Sequence, residues 1–385
     1  MAKASGTCDA RFDRVRQLLE ENVASGWELG ASIAVNLDGR LVVDLWAGWT
    51  DESRTKPWQQ DTIVNVFSTT KTVTSLAALM LVDRGLIDVD DAVCKYWPEF
   101  GANGKESVLV RHLLSHSSGV SGWDDPVSIE HLYDFDAATA RLARQSPWWP
   151  PGTASGYHSM TMGFLVGELM RRVTDTNLKD FVASEIAGPL DADFQIGAAE
   201  KDWPRVTDMV PPDKPVEFPP ADGPDSLLHR TMLNPNPDPT CANTAGWRRA
   251  ELGAGNGHGN ARSLVRIFST VTLGEVDGKR LLSDKTLDLL GREQVNGVDL
   301  VLAMPVRFGI GFGMGPSATY PFIPSGRVYF WGGWGGSYVI MDLDRRVTIS
   351  YTMNKMGDEL GCNSRGYAYG KAIYEALADT GNSHI

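Results

Sequence analysis

Residues 67–85 read FSTTKTVTSLAALMLVDRG, and the fold turns on this stretch. Val73, Leu76, Ala77, Met80 and Leu81 recur at helical spacing and Gly85 is a natural stop, so a helix with a buried face is expected over 70–85. Ser68 stands at the head of that helix, where the macrodipole favours developing negative charge. Lys71 lies one turn on, on the same face and within reach of the Ser68 oxygen. A lysine desolvated there has a depressed pKa and can accept the serine proton. The competing reading is an N-capping serine with a solvent-facing lysine, and the apolar residues that follow weigh against it. The bare Ser-x-x-Lys pattern is weak, since a chain this long carries about one by chance. The second copy, Ser53-Arg-Thr-Lys56, runs into Pro57 and polar residues and reads as a loop.

Toward the N-terminus, Phe12, Val15, Leu18 and Leu19 predict a helix stopped by Gly26. ASIAVNLDGRLVVDLWAGW, residues 31–49, predicts a hairpin turning at Asp38-Gly39. Toward the C-terminus, strands are expected near 306–314, where Phe308, Ile310 and Phe312 alternate with glycine, and near 327–331, 336–343 and 346–353. Asp342-Leu-Asp-Arg345 marks a hairpin tip, and a final helix is expected over about 364–380. Between these ends, 107–115, 129–145, 160–174 and 177–187 carry helical patterns. The expected fold is therefore α/β (α+β): an antiparallel sheet flanked by helices and built from both chain ends, 1–68 and 255–385, with a mostly helical domain, 69–254, inserted. Ten of the 21 prolines fall between Trp203 and Pro239, a stretch expected to run neither as helix nor as central strand. A lid or pocket wall is favoured there over a disordered insertion. There are no internal repeats.

The 385 residues are enough for two to three domains, which the nested arrangement reduces to two. At 42% hydrophobic and 22% charged, the composition is that of a globular protein. A net charge of -12 argues against nucleic acid as a partner. Cys8, Cys94, Cys241 and Cys362 lie far apart without metal spacing, and are read as free thiols of a reducing compartment. No stretch is long enough to span a bilayer, and the N-terminus has no apolar core of a secretory signal, so a cytoplasmic location is expected. There is no Gly-x-Ser-x-Gly, His-Glu-x-x-His or Walker loop, and the glycine runs at 253–259 and 309–315 never complete Gly-x-Gly-x-x-Gly. His112 and His116 are spaced as a metal pair but have no third ligand nearby, so a structural role is expected.

Ser68-Thr-Thr-Lys71 opening an apolar helix resembles the serine β-lactamase and penicillin-binding-protein superfamily. The resemblance continues, in family order, through SVLVRHLLSHSSG (107–119), Pro151-Gly-Thr153 leading into Tyr157-His-Ser159, Gly257-His-Gly-Asn-Ala-Arg262 and Trp331-Gly-Gly-Trp-Gly-Gly336. Within the class C-like branch it is similar to family VIII carboxylesterases and related acyltransferases. What this implies is a β-lactamase/transpeptidase-like fold and a Ser68, Lys71, Tyr157 catalytic centre. Tyr157, near a protonated lysine and a helix N-terminus, would have a lowered pKa and relay protons. The N–H groups of Ser68 and Trp334 would form an oxyanion hole. Trp331, Gly332, Gly333, Ser159, Trp123 and Trp148 would contact substrate. Trp331 stands where β-lactamases carry the lysine of Lys-Thr-Gly, and Ser159 where they carry the asparagine of Tyr-x-Asn, so neutral, apolar esters are favoured over β-lactams. The expectation is a carboxylesterase acting on a small-molecule acyl ester, without metal or organic cofactor. Two alternatives keep the same chemistry: transfer of the acyl group to an alcohol or amine, and hydrolysis of amides such as β-lactams or D-amino-acid peptides. A non-catalytic scaffold of the same fold is the fourth, and Ser68, Lys71 and Tyr157 together weigh against it.

Overall fold

The strands run in chain order as β1 (Ser5–Cys8), β2 (Gly30–Leu37), β3 (Arg40–Gly48), β4 (Val64–Asn65), β5 (Phe194–Ile196), β6 (Gly257–Gly259), β7 (Val295–Val298), β8 (Pro305–Phe308), β9 (Gly313–Met314), β10 (Val328–Gly332), β11 (Tyr338–Asp342) and β12 (Val347–Met353). The computed structural model describes residues 3–214, 216, 223, 225–359 and 361–378. Nine strands form one antiparallel sheet in the order β1-β3-β2-β12-β11-β10-β9-β8-β7, so strands from the two ends of the chain meet where β2 pairs β12. The β2–β3 hairpin closes through Asp38 and Gly39 at φ of 47° and 87°, the left-handed pair that a two-residue turn requires. β4, β6 and β5 make a small second sheet.

The longer helices are α1 (Asp13–Ser25), α2 (Thr70–Asp83), α3 (Phe135–Arg144), α4 (Thr161–Thr174), α5 (Ala261–Leu273) and α6 (Ser364–Ala378). Strand alternation decides their places. Ala34 of β2 packs with Ala261 and Val265 of α5, whereas Ile33 and Val35 join the main core with Val15 and Leu19 of α1. α1 and α6 lie together. α2 is buried on every side from Thr70 to Leu81, packed against α4 and reaching β10. Its head therefore opens at the seam between the sheet and the helices. Among the described residues no helix is long and apolar enough to cross a membrane.

Several expected elements differ. The alternation over 306–314 is not one strand: β8 and β9 form a tight hairpin in which Gly309 N donates to Phe312 O and Gly311 takes φ +92°. Of 107–115, only Val110–Leu114 is helical, and 177–187 divides into a short helix, Leu178–Phe181, and a π turn, Val182–Ala187. The proline-rich segment does contain a helix, Leu227–Met232, because no proline falls between 225 and 234 and Ser226 caps its first turn by accepting from His229 N. Pro204 also sits inside a 3-10 turn, Glu200–Arg205. Residues 215, 217–222, 224 and 379–380, which carry parts of the proline-rich and terminal-helix expectations, lie outside the described residues.

Candidate active site

Phe67 precedes the helix head with φ 41°, a strained value for a bulky residue, and is held by Trp334 and Trp247, ring centroids 5.3 and 6.2 Å away. That bend turns Ser68 into the cleft at the head of α2. Lys71 follows one turn later and is buried, with Nζ 3.0 Å from Ser68 Oγ. Nζ also donates to Ser159 O at 2.7 Å and to Ala254 O at 2.8 Å. Burial holds the Lys71 pKa well below the ordinary lysine range, and among its contacts there is no carboxylate to oppose that. A neutral amine has two N–H groups and one lone pair. With two N–H groups on the carbonyls, Nζ also donates to Ser68 Oγ, and once it has lost that third proton its lone pair would face the Ser68 hydroxyl.

Tyr157 lies in the loop before α4, its ring facing Lys71 Nζ at 4.9 Å from the ring centre. The expected lowering of its pKa is not found. Burial pushes it up to about 12, although the Ser68 hydroxyl and the Trp331 indole beside its oxygen favour the phenolate. The expectation assumed a charged lysine, whereas burial lowers the Lys71 pKa and the lysine is not among the groups that shift Tyr157. Tyr157 thus rests as the protonated phenol, a group suited to giving a proton rather than taking one. Asp299, which carries no sequence motif, fixes its backbone: Oδ1 accepts from Tyr157 N (3.0 Å), Val301 N and Leu302 N (both 2.9 Å). His116 packs against Tyr157 with ring centres 5.0 Å apart and planes tilted by 57°, and its Nδ1 accepts from His158 N. His112 spends its own Nδ1 on Leu109 N.

β10 brings Trp331 and Gly332 to the cleft, and the turn after it brings Gly333 and Trp334. The turn is tied to the head of α2: Ser337 Oγ donates to Val66 O (2.9 Å) and lies 3.0 Å from Thr69 Oγ1, and Gly333 N donates to Ser337 O (2.7 Å). A Cβ at Gly333 would fall on the Val66 carbonyl oxygen, so only glycine permits this approach. Among the described residues, neither Ser68 N nor Trp334 N donates to a backbone carbonyl.

These groups line a cleft of about 500 Å³ with Ser159, Met160, Met304, Met314 and Tyr320. One wall is Thr231, Met232, Pro235 and Pro237, from the proline-rich segment. Two residues expected to contact substrate do not line it. Trp123 is a core residue, packed on Phe164 with Nε1 donating to Ala138 O. Trp148 buttresses the wall from behind: Arg230 of the wall helix lies 3.8 Å over its ring, and its Nε1 and Arg230 both donate to Asp124.

The beta-lactamase family model matches residues 15–368. The chain belongs to that family. The protein is 33% identical over 363 residues to "Esterase/beta-lactamase LipL" of Mycobacterium tuberculosis, covering 91% of this chain and 83% of that protein. A solved family VIII carboxylesterase superposes with a TM-score of 0.90 at 34% identity, covering 97% of this chain and all of the other. A penicillin-binding protein homologue from Caulobacter crescentus gives 0.91 at 36% identity, over 97% and 99% of the two chains.

Proposed function

We propose that this beta-lactamase family member is a serine carboxylesterase that hydrolyses small to medium acyl esters through an acyl-enzyme on Ser68. The observation that carries the reading is the buried Lys71, its Nζ 3.0 Å from Ser68 Oγ and bound to two main-chain carbonyls, with a pKa that burial lowers. Lys71 takes the Ser68 proton as the serine oxygen attacks the ester carbonyl. The N–H groups of Ser68 and Trp334 hold the oxyanion. Tyr157 gives its proton to the departing alkoxide, a role that its raised pKa supports. Water then releases the acid. Gly332, Gly333 and Ser159 border the substrate. The apolar cleft, with Trp331 in place of a lysine on β10, supports a neutral substrate over an anionic one. Its relatives, an esterase/beta-lactamase and a family VIII carboxylesterase, point the same way.

The test is Ser68→Ala beside the unaltered protein on p-nitrophenyl acetate and butyrate, with nitrocefin as the amide probe. Activity is expected to fall at least about a thousandfold in the variant. Intact mass after a phosphonate ester is expected to gain one adduct, absent from the variant. An active Ser68→Ala protein refutes the mechanism, and nitrocefin turnover matching the esters moves the assignment to amide hydrolysis.

A further inference from the structure

The indole Nε1 of Trp331 is buried, and among the described residues it makes no well-formed hydrogen bond, although it lies beside the Tyr157 oxygen. A buried donor without a partner is costly and asks for an explanation. The ring is held by its neighbours: Phe308 at 5.1 Å, Tyr157 at 5.5 Å, His116 at 6.1 Å and Phe330 at 6.4 Å. It stands beside the Tyr157 oxygen. Lys71 Nζ faces the tyrosine ring and is committed to two carbonyls, so the amine does not serve the phenol oxygen. Resting on the esterase reading above, we propose that Trp331 is a positioning residue for the reaction: its N–H receives the negative charge that forms on the Tyr157 oxygen when the leaving alcohol departs.

The proton balance gives this charge a lifetime. In acylation the Ser68 O–H bond breaks toward Lys71 Nζ, and the serine oxygen bonds to the acyl carbon. The C–O bond to the alcohol then breaks, the alkoxide takes the Tyr157 proton, and the electron pair stays on the phenolate. The acyl-enzyme therefore carries a Lys71 ammonium and a Tyr157 phenolate. In deacylation water gives a proton to the phenolate and its oxygen bonds to the acyl carbon. The Ser68 C–O bond breaks as the Lys71 ammonium returns its proton to the serine oxygen. The indole donor makes only an imperfect approach to the neutral phenol oxygen at rest and a charge-assisted one for as long as the phenolate exists, and the difference between the two is what accelerates a reaction.

The test removes the N–H and keeps a ring, with Trp331→Phe, assayed on ethyl butyrate and on p-nitrophenyl butyrate. The nitrophenolate leaves without a proton, whereas ethoxide needs one. With ethyl butyrate kcat/KM is expected to fall about 10- to 100-fold, the range of a charge-assisted hydrogen bond, with KM within about twofold. With p-nitrophenyl butyrate the fall in kcat/KM is expected to be several times smaller, and Trp331→His, which restores an N–H, is expected to recover part of the ethyl ester rate. Phosphonate titration of Ser68 counts competent sites in each variant, and Trp331→Met makes the same deletion should the phenylalanine variant not fold. Equal losses on the two esters, or a loss carried by KM, overturn the proposal and return Trp331 to a substrate contact. A protein whose Ser68→Ala variant is as active as the original overturns the esterase reading itself, and this inference with it.

Discussion

An uncharged primary amine offers two protons and one lone pair, and Lys71 has a use for each. Ser159 O and Ala254 O lie 88 and 183 residues away from it in sequence, so no local pattern announces them. The Ser-x-x-Lys spacing makes the Ser68 contact legible, but not the charge state of the amine. The same gap explains the reversed direction for Tyr157, whose oxygen is governed by burial, with no contribution from the lysine. Two outcomes follow at this scale. Protonation fills the Lys71 lone pair, so kcat/KM is expected to fall as pH drops through the Lys71 titration. Because burial has moved that titration well below the ordinary lysine range, a pH profile is expected to hold its rate far below that range and to lose it in acid. Lys71→Arg, charged at every accessible pH, is expected to lose at least about a thousandfold in kcat/KM.

At the scale of elements, the site depends on one close approach. The turn after β10 lies against the head of α2, joined by Ser337, Thr69 and Val66 and permitted by Gly333. Gly333→Ala is expected to push the turn away. Thermal unfolding should report a loss of about 1–3 kcal/mol, with kcat/KM down at least tenfold as Trp334 moves from Ser68. Much of this level was readable. The Asp38-Gly39 hairpin, α2 and α4 follow from turn chemistry and apolar spacing. Others carried weaker signals: β1 is a four-residue edge strand, exposed or half-buried throughout, without alternation. The β8–β9 hairpin shows that Phe-Gly-Ile-Gly-Phe fits a bend as well as a strand. The Leu227–Met232 helix is masked in the sequence by the surrounding prolines, which flank a ten-residue interval that contains none. Asp299 belongs to no motif, and only the fold shows that its carboxylate holds the tyrosine loop.

Across the whole molecule, the two chain ends are joined beneath the sheet. Arg365 of α6 meets Glu28 at 3.3 Å with both side chains almost fully buried, Tyr351 OH donates to Glu28 at 2.7 Å, and Asn22 of α1 donates to the Tyr369 hydroxyl at 2.8 Å. Arg365→Met leaves Glu28 as an uncompensated buried carboxylate. Urea denaturation is expected to report a loss of about 3–5 kcal/mol, while kcat of the folded fraction is unchanged because the pair lies away from the cleft. Lys71 has a different kind of anchor. Its amine is held by main-chain carbonyls, which remain whatever side chains surround them. The placement of the amine is therefore inherited with the backbone, while burial sets its proton affinity. Mutation can recut the cleft for a new ester, a new acceptor or an amide without rebuilding the base, and a scaffold of this kind can change substrates while keeping its reaction.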